Sequence, residues 1–206
     1  MSAVADKRLA VLGYHKIGDP PPGEYPTWNY VPEVTFVDHL HFLRGTDWEV
    51  TEFDALLRGL SEPEGLPRRT AVLTFDDGYR SMQTLVQHLL QRFDYPAVLF
   101  VPTGFVGRSN EFDAGIEPPE PICDWADLRE LGRQGISVQS HGVSHRRLSE
   151  LSWVEVREEI ERSKRELEAG LDRPVEAIAY PYGDAGDQAD ELDRLLEASG
   201  YRAGFL

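Results

Sequence analysis

Ala71-Val72-Leu73-Thr74-Phe75-Asp76-Asp77-Gly78 is the stretch on which the reading of this chain turns. Its first five residues form an unbroken apolar and β-branched run. Such a run, without polar alternation, fits a strand covered on both faces, as in parallel sheets. Two adjacent carboxylates and a glycine follow at once, so the strand ends in a turn that carries acid groups. Similar short runs recur on either side: Leu9 to Tyr14, Trp48 to Thr51, Ala97 to Val101, Ser137 to Ser140, Val175 to Tyr180, and one beginning near Tyr201. Amphipathic stretches separate them, with Phe36, Leu40 and Leu43, or Met82, Leu85, Leu89 and Phe93, at helical spacing. Strands alternating with helices from end to end predict an α/β fold with parallel strands.

The 206 residues suit a single domain spanning 1–206. A formal net charge of -15 repels phosphate backbones and anionic headgroups, so nucleic acid and membranes are excluded as expected partners. No run approaches the ~20 apolar residues of a membrane span. One cysteine, Cys123, allows no internal disulfide, and the first residues lack a signal-peptide core; a cytoplasmic location is the resulting expectation. Two irregular segments, Gly18 to Pro32 and Pro102 to Pro121, are long enough to be lids or insertions. A helix from about Ser152 to Leu171 is rich in Glu, Arg and Lys at i,i+4 spacing, which predicts a solvated outer face.

The chemistry-bearing residues share one position relative to these strands. His15 follows the first, Asp76-Asp77-Gly78 the third, His141 and His145 the fifth, and Pro181-Tyr182-Gly183 the sixth. In a parallel barrel all strand C-termini open on one rim, so these groups should converge there. One carboxylate and two imidazoles suit a divalent cation that keeps a position open for water. The i,i+4 spacing of His141 and His145 predicts that both rings lie on one side of a single turn. Of the adjacent carboxylates, one can ligate while the other takes a proton. Each piece alone has a plainer reading, a helix-surface histidine pair or an acidic turn; their common placement after strands is what favours a site. His39, His41 and His88 lie in helical stripes and are read as packing or surface residues.

Thr74-Phe75-Asp76-Asp77-Gly78, His141-Gly142-Val143-Ser144-His145 and Tyr180-Pro181-Tyr182-Gly183 together resemble the three motifs of the polysaccharide deacetylase (NodB-homology, carbohydrate esterase family four) superfamily. The resemblance extends over essentially the whole chain and implies a single-domain, distorted (β/α)7-type TIM barrel. It implies Asp76 as general base, Asp77, His141 and His145 as ligands of one divalent metal ion, and the Tyr182 backbone N–H as an oxyanion donor, with Pro181 beside the substrate. The superfamily's third motif commonly has an Arg where this chain has Ala179, and its C-terminal acid histidine has no counterpart after His145. The opening Gly13-Tyr14-His15-Lys16-Ile17 resembles instead the start of a circularly permuted branch that includes poly-N-acetylglucosamine deacetylases, which implies His15 as general acid.

The implied activity is hydrolysis of N-acetyl or O-acetyl groups on a carbohydrate, with an N-acetylated oligo- or polysaccharide as partner. Zinc is the default metal, and nickel, cobalt and iron suit the same donors. Trp28 and Trp125, with Tyr25 and Tyr30, are aromatic candidates for stacking on sugar rings, although packing is the commoner role. Two alternatives share these residues: a small-molecule amidohydrolase or deformylase, and a catalytically silent carbohydrate-binding domain motivated by Ala179.

Overall fold

The computed structural model describes residues 7–23 and 29–206. Its main sheet has seven strands, all paired in parallel: β1 (Arg8–Tyr14), β4 (Glu49–Val50), β5 (Arg69–Phe75), β6 (Ala97–Val101), β7 (Ile136–Ser140), β8 (Ala177–Ala179) and β9 (Ala203–Phe205). Each corresponds to a run predicted from sequence. The order is β1-β5-β6-β7-β8-β9, and β4 also pairs with β5. On one edge of β5, β4 takes Thr70 and Ala71 while β6 takes Thr74 and Phe75; β1 runs the full length of the other edge. A second, two-stranded sheet joins β2 (Lys16–Ile17) to β3 (Tyr30–Val31), and no run in the sequence marked either strand.

β5 is buried from Thr70 to Phe75, as an unbroken apolar run on a two-sided sheet requires. Its odd-numbered residues Ala71, Leu73 and Phe75 join the main core beneath the helices α1 (Glu33–Arg44), α3 (Gln87–Phe93), α4 (Trp125–Arg133), α5 (Trp153–Leu171) and α6 (Ala189–Ser199). Val72 faces the other way, into a smaller cluster with Val98, Phe100, Ala177 and Ala179. Helix α2 (Phe53–Ser61) fills that inner space with Phe53, Leu56 and Leu57. The sheet is therefore a curled (β/α)7 half-barrel, and among the described residues β1 and β9 do not pair to close it. Val11, in register with Val72, remains 48% exposed on that open side. No described helix is long and apolar enough to cross a membrane.

Helix boundaries follow local chemistry. Ser152 caps α5 through a capping box with Glu155, and Asp124 caps α4 with Asp127. The second irregular segment is anchored rather than loose. Its Glu117 carboxylate accepts from the buried Lys16 ammonium at 3.0 Å, and Tyr30 donates to Glu120 at 2.6 Å. The rings of Tyr30 and Tyr79 lie 4.8 and 4.6 Å from Lys16 Nζ. Tyr30 is thus engaged in packing.

Phe100 is 1% exposed in the inner cluster, with the Phe205 ring 5.0 Å away. Phe100→Ala should lower unfolding free energy by about 3–5 kcal/mol, measured as a shift in urea midpoint at unchanged slope.

Candidate metal centre

Asp76 and Asp77 leave the end of β5, His15 the end of β1, His141 and His145 follow β7, and Pro181 and Tyr182 follow β8. The backbone ties these ends together: Asp76 N–H donates to the Tyr14 carbonyl at 2.9 Å and His141 N–H to Val101 at 3.0 Å. At Gly78 the backbone has φ +71, and a Cβ there would come 3.2 Å from Val101 Cγ1. A side chain would be strained and crowded, which explains the glycine.

Asp77, His141 and His145 are buried together, with one ligand-type atom from each lying within 4.8 Å of the others. Asp77 Oδ1 is 2.9 Å from His145 Nε2 and 3.4 Å from His141 Nε2. His141 Nδ1 lies 2.9 Å from the Ala179 carbonyl. A carbonyl only accepts, so Nδ1 carries a proton and Nε2 is the atom turned to the centre, where it can donate to Asp77 or, deprotonated, offer its lone pair to a cation. The two rings come together as the i,i+4 spacing had suggested, and the turn that achieves it is not helical. They meet, centroids 5.0 Å apart, through an irregular loop in which Gly142 and His145 both have positive φ.

Burial alone would raise the Asp77 carboxyl, but the two imidazoles against it outweigh that and hold it below the ordinary carboxylate range. Asp77 Oδ1 is nonetheless a buried oxygen without a hydrogen bond of acceptable geometry. An orphaned anionic oxygen facing two imidazole nitrogens is the donor set that a divalent cation satisfies. Asp76 is more open, at 24% side-chain exposure, with its Oδ2 4.0 Å from His15 Nε2. Desolvation raises its pKa, against the lowering pull of His141 and His15.

Strain is concentrated here. Among the described residues five non-glycines have positive φ, and two of them, Asp94 and Asp172, are ordinary helix C-caps. The other three are Asp77 (φ 69), His145 (φ 56) and Tyr182 (φ 61). Such conformations cost about 1–3 kcal/mol each and persist only where the surroundings over-determine them.

A cleft of about 300 Å³ opens beside His145, lined by Phe105, Phe112, Arg147 and Tyr182 among others. Phe112 lies against the His145 ring at a centroid distance of 4.0 Å, and the Tyr182 ring meets it edge-on at 4.9 Å. Arg147 covers the Tyr182 face at 4.3 Å. A larger cleft of about 330 Å³ lies at the opposite ends of the strands, lined by Pro96, Ser137 and Glu176, and includes none of the site residues.

Pro181 is buried at the head of the turn that carries Tyr182. Trp125 is a correction. Its ring packs so closely on Gly170 of α5 that a Cβ there would sit 2.3 Å from Cζ3, so it is an interhelix packing residue and not a wall of the cleft. Trp28 and Tyr25 lie outside the described residues. His39 contacts the Tyr14 hydroxyl at 3.1 Å and His41 packs on Phe93, in agreement with a structural role. Sequence reasoning missed Phe112, Asp113 and Glu159. Asp113 is buried near Asp77, and its carboxyl is raised by desolvation and then by the Asp77 charge.

A buried Asp-His-His cluster at the strand ends of a parallel half-barrel is the arrangement of a candidate metal centre. The chain belongs to the polysaccharide deacetylase family, whose sequence model matches residues 64–204. It is 23% identical over 198 residues to YxkH of Bacillus subtilis (strain 168), itself named as a polysaccharide deacetylase, covering 96% of this chain and 63% of that protein. It is 35% identical over 82 residues to the poly-beta-1,6-N-acetyl-D-glucosamine N-deacetylase of Escherichia coli (strain K12), covering 37% of this chain and 12% of that one. The chain thus spans less than two thirds of the length of either relative. Its fold matches IcaB from Ammonifex degensii with a TM-score of 0.79 at 23% identity, over 95% of this chain and 82% of that one.

Gly142 has φ +73, and a Cβ there would lie 2.8 Å from Glu159 Oε2. Gly142→Ala should therefore destabilise the protein by about 1–3 kcal/mol, read from urea unfolding.

Proposed function

We propose that this protein is a metal-dependent carbohydrate deacetylase that removes N-acetyl groups from an N-acetylated oligo- or polysaccharide. The observation that carries the reading is the gathering of Asp77, His141 and His145 around one point, with Asp76 and His15 alongside. Family membership supports it. The polymer named for the Escherichia coli relative supports a poly-N-acetylglucosamine-like substrate.

Asp77 Oδ1, His141 Nε2 and His145 Nε2 would hold the cation, and zinc suits this set of one carboxylate and two imidazoles. When bound, a divalent ion supplies Lewis-acid polarisation to the acyl carbonyl and to the attacking water. Asp76 accepts a proton from that water as its oxygen bonds to the carbonyl carbon. Its position at the rim leaves it in reach of solvent. The Tyr182 backbone N–H stabilises the tetrahedral oxyanion, a type of contact worth about 3–4 kcal/mol in a transition state. His15 Nε2 then gives a proton to the nitrogen as the carbon–nitrogen bond breaks, because an unprotonated amine anion leaves very poorly. The products are acetate and a free amino sugar. With Ala179 in place of an arginine, the His15 imidazole, 4.0 Å away, is one of the polar neighbours of the Asp76 carboxylate, with His141 and His145.

Asp77→Ala and His141→Ala should each lose stoichiometric zinc and turnover together, measured by elemental analysis and acetate release; a full complement of zinc in both variants would exclude this centre. His15→Ala should reduce turnover of an N-acetyl substrate far more than that of an activated acetate ester, whose leaving group needs no proton. Equal losses on the two would remove His15 from the acid role. Comparing N-acetylglucosamine oligomers with acetylated xylan and small formamides separates the deacetylase reading from an esterase or deformylase, and no turnover by zinc-loaded protein on any of them would indicate a silent binding domain.

A further inference from the structure

We infer that Glu159 is a positioning residue for the metal centre: its buried carboxylate, delivered by α5, fixes the backbone that presents His141 and His145 and thereby sets the affinity for the ion. This rests on the reading that those histidines, with Asp77, hold a divalent cation.

Most of the α5 charges form exposed pairs, such as Arg157 with Glu161 and Arg162 with Glu166. Glu159 differs. It is 8% exposed and shares the inward stripe with Val156, Ile160, Ser163 and Leu167. A residue there for packing alone would be apolar, since taking a carboxylate out of water costs several kcal/mol. Its hydrogen bonds explain the exception. Glu159 Oε2 accepts from the Val143 and Ser144 amides at 2.6 and 2.9 Å, and Oε1 accepts from Ser144 Oγ at 2.6 Å. From the opposite side, the Thr103 and Gly104 amides donate to the Gly142 and Val143 carbonyls, each at 3.0 Å. The peptides between the two histidines are therefore clamped on both sides.

The two histidines depend on this clamp unequally. His141 has its own side-chain tether, Nδ1 to the Ala179 carbonyl. His145 Nδ1 is buried without a hydrogen-bond partner, and its backbone is held at φ 56. With no polar contact at Nδ1 to aim the ring, Nε2 is held 2.9 Å from Asp77 Oδ1 by the backbone and by the Phe112 and Tyr182 rings against it. Glu159 supplies the directional part of that constraint. The same turn of α5 is joined to the end of β7, where Ser163 Oγ donates to the Glu159 carbonyl at 2.6 Å and Ser140 Oγ lies 2.7 Å from Ser163 Oγ.

The test is zinc titration of metal-free protein against a chromophoric chelator, for wild type, Glu159→Gln and Glu159→Ala, alongside thermal unfolding of each metal-free protein. Glutamine retains the shape and one acceptor oxygen, so zinc affinity should fall about 10-fold; alanine removes all three contacts, and affinity should fall about 100-fold. The glutamine variant should melt within about 3 °C of wild type, which separates ligand positioning from general destabilisation. Either variant, if folded, binding zinc within twofold of wild type would overturn the inference; should the alanine variant not fold, the glutamine variant alone decides. Wild type that binds no zinc would instead overturn the metal reading on which the inference rests.

Discussion

A carboxylate at 2% exposure is the constraint around which this molecule is arranged. Removing the charge of Asp77 from water costs several kcal/mol unless opposite charge or strong donors replace the lost hydration. The fold answers by bringing His141 and His145, distant in sequence, against Asp77 Oδ1. To do so it needs the ends of β5, β7 and β8 on one rim, which the all-parallel sheet provides. The Ala179 carbonyl then sets the tautomer of one histidine, so a backbone atom of the neighbouring strand takes part in the electrostatics of the centre.

The same convergence explains why strained backbone accumulates at the site. Asp77, His145 and Tyr182 each turn through the left-handed region immediately after a strand or within its following loop. The neighbouring ladders make this sustainable: β5, β6, β7 and β8 are buried and mutually hydrogen-bonded almost to their last residues. Rigid strands fix where the turns begin, and the turns alone absorb the distortion. Glycine appears where a side chain would collide as well as strain, at Gly78 against Val101 and at Gly142 against Glu159.

Much of this was legible in the sequence. Each strand of the main sheet announced itself as a short apolar run, and the polar residues fell just after those runs, so the rim could be assembled before any coordinates. What stayed hidden is instructive. The i,i+4 spacing of His141 and His145 indicated that the two rings share a turn, but spacing reports proximity and not the backbone path that achieves it. Trp125 seemed available as a stacking surface, but a glycine on a helix 45 residues away receives its ring, and no local pattern encodes that. Phe112 sits in a Pro-rich segment with no periodicity at all. Glu159 had a visible signal: it occupies the spacing of Val156, Ile160, Ser163 and Leu167, but among so many glutamates on one helix its inward register was easy to overlook.

The buried Lys16–Glu117 pair has a consequence for how the cleft can diversify. It fastens the segment bearing Phe112 and Asp113 to the small β2–β3 sheet, whereas the three ligand residues belong to β5 and β7. The Asp-His-His cluster and the wall of the cleft are thus built by separate parts of the chain, joined where Phe112 touches His145 and where the Thr103 and Gly104 amides donate to the Gly142 and Val143 carbonyls. Mutation can redraw the wall while the fastening holds. The limit is the fastening itself: losing either partner breaks a buried ion pair, at a cost of about 3–5 kcal/mol.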